Sequence, residues 1–135
     1  MAQIKFEDYS FKVKDAIKDA LCAGLEEAAG ELESQTKRNT RVATGETKNS
    51  FKHRVDEGEF AAYVGSDEEN AIWEEFGTGE YALKGNGRKG GWVYVDANGD
   101  GHFTHGKKPS RAFWNAYTSL KASIINLFQN KLKGL

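Results

Sequence analysis

The chain has little that would staple or interrupt it. Its 135 residues include one cysteine and one proline. A lone thiol, Cys22, excludes an internal disulfide framework and a zinc ribbon, which both need several cysteines. No apolar run approaches the roughly 18 residues that a membrane-crossing helix requires. Met1-Ala2-Gln3-Ile4-Lys5 has no apolar h-region, so no secretory signal is expected and a soluble, intracellular protein is. Net charge is also nearly absent. The 19 Lys and Arg against 20 Asp and Glu leave −1, so bulk charge points to neither a nucleic-acid nor a membrane partner.

What is present suits one folded domain, residues 1–135. The composition is 39% hydrophobic and 12% aromatic, which argues against disorder, and the length suits a single core. The small net charge hides a division. Residues 1–83 hold 10 Lys and Arg against 18 Asp and Glu, a net −8, and residues 84–135 hold 9 against 2, a net +7. Neither part is a tail, because apolar and aromatic residues run through both. A molecule with two poles can dock its negative face on a positive one.

Hydrophobic spacing predicts a long helix from Asp8 to about Asn39, with a stripe at Val13, Ile17, Leu21, Leu25, Ala28 and Leu32. Asp8 or Ser10 is its expected N-cap; for so long a helix, either Gly24 or Gly30 bends it or its far half packs on something else. Ile4 and Phe6 alternate with Lys5, as in a short strand. A polar stretch with a turn at Gly45 follows. Phe51, His53 and Val55 alternate with polar residues, as a half-buried strand does, and Phe60–Gly65 completes a hairpin. Asp67–Phe76 predicts a short helix capped by Ser66 or Asp67 and stopped by Gly77. Residues 84–91 contain four glycines and no apolar residue, the composition of a flexible loop. Trp92–Val95 and His102–His105 predict a second hairpin. Ser110 is the expected cap of a last helix to about Lys133, with a stripe at Phe113, Tyr117, Leu120, Ile124, Leu127, Phe128 and Leu132. The expected class is α+β: a long N-terminal helix and a C-terminal helix on a small antiparallel sheet of two hairpins.

Few motifs carry chemistry. Asp96-x-Asn98-x-Asp100-Gly101 begins like a calcium loop, but Lys107 stands where a bidentate Glu belongs, so a hairpin turn is expected. His102 and His105 with Asp100 offer the minimum for a metal-dependent nuclease, yet residues three apart on a strand face opposite ways. The segment from Lys84 to Lys89 lacks the ending of a phosphate-binding loop. Its cations Lys84, Arg88 and Lys89, with Lys107, Lys108 and Arg111, can touch phosphates non-specifically, and Trp92 and Tyr94 can stack on bases. Cys22 has nothing beside it in sequence that would activate a thiol. Glu74-Glu75-Phe76-Gly77-Thr78-Gly79 is the least ordinary stretch. With Ile72 and Trp73 it suits an interface of aromatic anchors beside presented charge.

These residues also carry a resemblance. Thr44-Gly45 with Ser50, Tyr63-Val64-Gly65-Ser66, Ala71-Ile72-Trp73-Glu74-Glu75-Phe76-Gly77-Thr78-Gly79 and His105-Gly106-Lys107-Lys108-Pro109-Ser110-Arg111-Ala112-Phe113 together resemble the head–tail joining family of long-tailed phages and prophages. That family comprises minor tail and tail-completion proteins. Residues 85–94 resemble an insertion carried by members from Gram-positive hosts. The chain departs at Thr47-Lys48, where the family usually has Leu-Arg, and at Ala112, where it commonly has a second Pro. The resemblance implies a non-enzymatic virion component of the neck or head-proximal tail, without cofactor or metal, assembled in the host cytoplasm. Its implied partners are its own copies in a ring, often hexameric in related proteins, and the phage connector and tail-tube proteins. Contact with passing DNA is a further implication, and no membrane is involved. The interface expected from the charge division joins the acidic Trp73, Glu74, Glu75, Phe76, Thr78 region of one copy to Lys84, Arg88, Lys89, Lys107, Lys108 and Arg111 of the next.

Overall fold

The computed structural model describes residues 10–41 and 45–135 and has the expected α+β class. Helix α1 spans Ser10–Asn39, α2 Glu46–Ser50, α3 Glu69–Phe76 and α4 Ala112–Lys133. Strands β1, Phe51–Asp56, and β2, Ala61–Ser66, form one hairpin; β3, Trp92–Val95, and β4, Gly101–Thr104, form the other. Each hairpin is a separate two-stranded antiparallel sheet. The strand expected at Ile4 and Phe6 and the cap expected at Asp8 lie outside the described residues, and Ser10, the alternative cap, is the first residue of α1. The polar stretch after α1 holds a short helix, α2, entered through Gly45 at φ 87°.

Helix α1 is the platform. The first hairpin packs on it, and α4 packs on it antiparallel. At one end of that pair Asn39 Nδ2 donates to the Ala112 carbonyl at 3.1 Å, and at the other Lys131 meets Glu27 at 3.2 Å. Small side chains are the most buried on the two helices. Ala28, Ala29, Ala112 and Ala116 are buried, Ala116 completely. Gly24 does not interrupt α1. It makes room for the Phe128 ring, since a Cβ there would lie 2.6 Å from Phe128 Cε1. Thr36 and Thr40, both buried, satisfy their hydroxyls on the helix itself, donating to the Leu32 and Thr36 carbonyls.

Close helix contact narrows the buried stripe below what the spacing predicted. Val13 and Ile17 are exposed, because all of residues 12–19 lie beyond the part of α1 that α4 and the hairpin cover. Tyr117 and Leu132, placed in the α4 stripe by sequence, are exposed, and Ala112 and Ala116 take the contact. Among large apolar side chains of the described residues, Phe51 alone is buried.

His53 fastens β1 to α1. With Phe51 and Val55 it shares the strand face that turns to the helix. Its Nε2 lies 2.6 Å from Glu26 Oε1 and its Nδ1 3.1 Å from Glu33 Oε2. No partner was evident in sequence, since the carboxylates lie twenty and twenty-seven residues upstream. Two carboxylates on two ring nitrogens favour the imidazolium. The Glu26 contact chiefly raises the pKa above its ordinary 6.5, with Glu33 adding to it and burial opposing. Lys37, 3.7 Å from Glu33, shares that carboxylate.

Two outcomes are expected. Because the folded-state pKa is raised, the His53 contribution is full below about pH 6.5 and is lost as pH rises through the higher folded value. His53→Ala therefore lowers stability by up to about 1 kcal/mol below that pH, and the difference from wild type narrows above it, as urea titrations across the range will read. Ala116→Leu overfills the α1–α4 contact and costs about 1–3 kcal/mol in the same titrations.

Candidate functional site

On α3 the residues Ala71, Glu74 and Glu75 stand at i, i+3 and i+4 and share one face. That face turns inward, and Ala71 and Glu74 are buried. Ile72, Trp73 and Phe76 turn outward and are exposed. The sequence suggested aromatic anchors beneath presented acids. In the structure the carboxylates turn inward to amides and cations, while Ile72 and Trp73 stay exposed and Phe76 is partly covered by Lys84 and Arg111.

Glu75 caps α4 from a distance. Its Oε2 accepts the Phe113 N–H and its Oε1 the Trp114 N–H, both at 3.0 Å. These amides open the helix and have no intrahelical acceptor. A carboxylate also suits the positive end of the α4 dipole. Ser110, the expected cap, does not serve. Its buried hydroxyl has no hydrogen-bond partner among the described residues, while its N–H donates to the Glu74 carbonyl at 2.7 Å. The residue before α4 is Arg111, in the left-handed region at φ 56°. That backbone turns the Ser110 side chain's neighbourhood away from the helix start and leaves the amides to Glu75. The cap of α3 differs in a smaller way. Glu68 occupies the cap position without a side-chain bond, and Ser66 Oγ accepts the Glu68 N–H at 3.0 Å.

Glu74 joins three segments. Lys107 Nζ pairs with its Oε1, and Arg41 Nε lies 3.5 Å from its Oε2. Arg41 also donates to the Lys108 carbonyl at 2.8 Å. A buried carboxylate is costly unless paired; Lys107 and Arg41 supply the opposite charge, while Oε2 accepts no hydrogen bond among the described residues. Beyond α3, Thr78 exchanges backbone bonds with the return segment: its N–H donates to the Lys107 carbonyl at 2.9 Å, and its Oγ1 accepts the Lys107 N–H at 2.8 Å. The Glu80 N–H donates to the His105 carbonyl at 2.9 Å. This crossing demands glycine at 79. A Cβ there would lie 2.2 Å from the His105 carbonyl oxygen and 2.8 Å from the Trp92 ring.

The acids and bases expected to meet across copies thus meet within one chain: Glu74 with Lys107, Glu75 with Arg111 at 3.7 Å, and Glu80 with His105 at 3.3 Å. The remaining basic residues sit on aromatic rings. Lys84 lies 5.1 Å from the Phe76 ring centre, Arg88 5.7 Å from Trp92 and Lys108 5.7 Å from Tyr81. Lys89 is exposed. Residues 84–91 are attached at the Gly90 N–H, which donates to Glu80 Oε1 at 3.2 Å, and at Gly85, whose N–H donates to the Ala82 carbonyl at 3.0 Å.

Two concave surfaces flank α3. On the Trp73 side a groove of about 610 Å³ is lined by Trp73, Trp92, Tyr94, Asn70, Thr104 and Lys107. On the Ile72 side a groove of about 450 Å³ runs between β2, α3 and the start of α4, lined by Phe51, Val64, Ile72, Phe76, Phe113 and Trp114. Sequence reasoning missed this second groove and missed Arg41. Neither leaves a local signal, since both depend on segments far apart in the chain.

The metal and nuclease candidates are not gathered. His102 Nε2 pairs with Asp96 at 2.7 Å, and His105 turns to Glu80. Among the described residues no three His, Cys, Asp or Glu side chains cluster as metal ligands do. Asp96 instead knits its own turn: Oδ1 accepts the Asn98 and Asp100 N–H groups at 2.9 Å each. Its pKa lies below the ordinary value, chiefly through the His102 contact and then these amides. Among the described residues no helix is long and apolar enough to cross a membrane. No family model, curated protein or solved structure matches this chain.

Glu75→Ala is expected to cost about 1 kcal/mol, the usual cost of a lost helix cap. Amide exchange at Phe113 and Trp114 should quicken ahead of the rest of α4, and Glu75→Gln should restore part of the loss.

Proposed function

We propose that this chain is a structural assembly component of a phage-type virion, acting at the head–tail joint as a ring of copies, and not an enzyme. One observation supports the assembly part most directly. Eighteen large apolar side chains are exposed among the described residues, against eleven that are half-buried and one that is buried. Scattered apolar residues are ordinary on a surface, but here they line continuous features: the outer face of α3, one face of the second hairpin, and α4 at Trp114 and Tyr117. A chain that buries so little in its own core gains most by being covered. The motif resemblance supplies the setting.

Within this reading the expected interface residues divide. Glu74, Glu75, Thr78, Lys107 and Arg111 hold the shape of the site by the pairings described. Trp73, Phe76, Lys84, Arg88, Lys89 and Lys108 face neighbours: further copies, the connector or the tail tube. Charge already paired within the chain leaves apolar contact as the main source of adhesion.

A second reading, contact with passing DNA, has one observation in its favour. Lys84, Arg88 and Lys108 lie over aromatic rings, a combination that suits phosphate and base together.

Deleting this chain from the replicon that encodes it should give filled heads and free tails in electron micrographs of the lysate. Normal joined particles would refute the proposal. The purified wild-type chain should form oligomers in native mass spectrometry and light scattering. These should persist when salt is raised from about 0.1 to 1 M, where the Debye length falls from roughly 10 to 3 Å.

A further inference from the structure

The second hairpin has two unlike faces. Register pairs Trp92 with Thr104, Val93 with Phe103 and Tyr94 with His102. Trp92, Tyr94 and Thr104 therefore share the face that lines the groove beside Trp73. Val93, Val95 and Phe103 share the opposite face, where they are 66%, 68% and 63% exposed. Three large side chains on one short ribbon, each about two-thirds bare, form an unusually apolar surface. Its own chain offers it no seat: the hairpin's back is committed to the Trp73 side of α3, whereas the apolar groove opens on the Ile72 side.

We infer that this bare face seats in the Ile72-side groove of a second copy of the chain. The inference rests on the self-assembly reading above and names the two surfaces that meet. The groove is apolar where the hairpin is apolar, lined by Phe51, Val64, Ile72, Phe76, Phe113 and Trp114. Charge matches as well. Asp96 and Asp100, at the hairpin tip, are the only acids in residues 84–135. Arg111 lines the groove together with Glu75, its partner at 3.7 Å, and Lys84 stands beyond the Phe76 edge of the groove, 5.1 Å from the ring centre. An acidic tip is drawn toward that rim and the apolar face provides the adhesion. Because hairpin and groove are different surfaces of one molecule, the contact is heterologous. It repeats from copy to copy, closing a ring or extending a filament according to its rotation.

The test is a mixing experiment read by sedimentation velocity. One variant, Val93→Asp with Phe103→Asp, spoils the hairpin and keeps the groove. The other, Ile72→Asp, spoils the groove, at a side chain 59% exposed, and keeps the hairpin. Circular dichroism and melting curves establish that each is folded. Should the double substitution unfold the hairpin, Val95→Lys replaces it. Each variant alone should be monomeric, and an equimolar mixture should form a dimer that grows no further. That result follows only from a head-to-tail contact between these two surfaces. Folded variants that keep wild-type size, or a mixture that stays monomeric, would overturn the seating and leave self-assembly through other surfaces standing. A wild type that remains monomeric at high concentration would overturn both.

Discussion

Two adjacent carboxylates on one face of α3 hold the molecule's ends together. Glu75 closes the first amides of α4, and Glu74 gathers Arg41 from the end of α1 and Lys107 from the return segment. The α4 helix can lie along α1 only if its start is fixed, and its own flanking residues do not fix it. Arg111 is in the left-handed region and Ser110 makes no cap. The requirement is electrostatic and steric at once. Free N–H groups need an acceptor, a buried carboxylate needs cations, and Gly79 must pass within contact of the His105 carbonyl for the two segments to cross.

That arrangement explains the division of labour across α3. Its inner face is consumed by architecture, and its outer face, Ile72, Trp73 and Phe76, is left for others. In the α1–α4 contact Gly24 lies against the Phe128 ring, and Ala28, Ala112 and Ala116 are buried. Close packing of small side chains gives a defined geometry with modest stability. Leu21, Leu25, Leu32, Leu120, Ile124, Leu127 and Phe128 stand half-buried on the same two helices. The apolar hairpin face and the groove beside Ile72 are its clearest exposed apolar surfaces.

Much of the secondary structure was legible in the residues. The 3.6-residue spacing marked α1 and α4, the alternation at Phe51, His53 and Val55 marked β1, and the Asp-Asn-Gly-Asp turn marked the second hairpin. Burial was legible less well. A stripe states which side chains share a face and not how far along the helix a neighbour extends, so Val13, Ile17, Tyr117 and Leu132 were placed inside and stand outside. The candidate site was legible as a place and not as an arrangement. Trp73, Glu74, Glu75 and Phe76 were picked out by composition, but which of them faced inward depended on Arg41, Lys107 and the α4 amides, all remote in sequence.

The sequence by itself determined the class of fold, the order of elements and the sorting of charge into an acidic and a basic stretch, because these follow from local periodicity and composition. Only the tertiary structure decided what that charge does. Folding brings residues 74–80 against residues 105–114, so Glu74, Glu75 and Glu80 find partners within the chain while Ile72, Trp73 and Phe76 stay exposed. Coulomb attraction acts at a few ångströms, and only the folded backbone sets which charges lie that close.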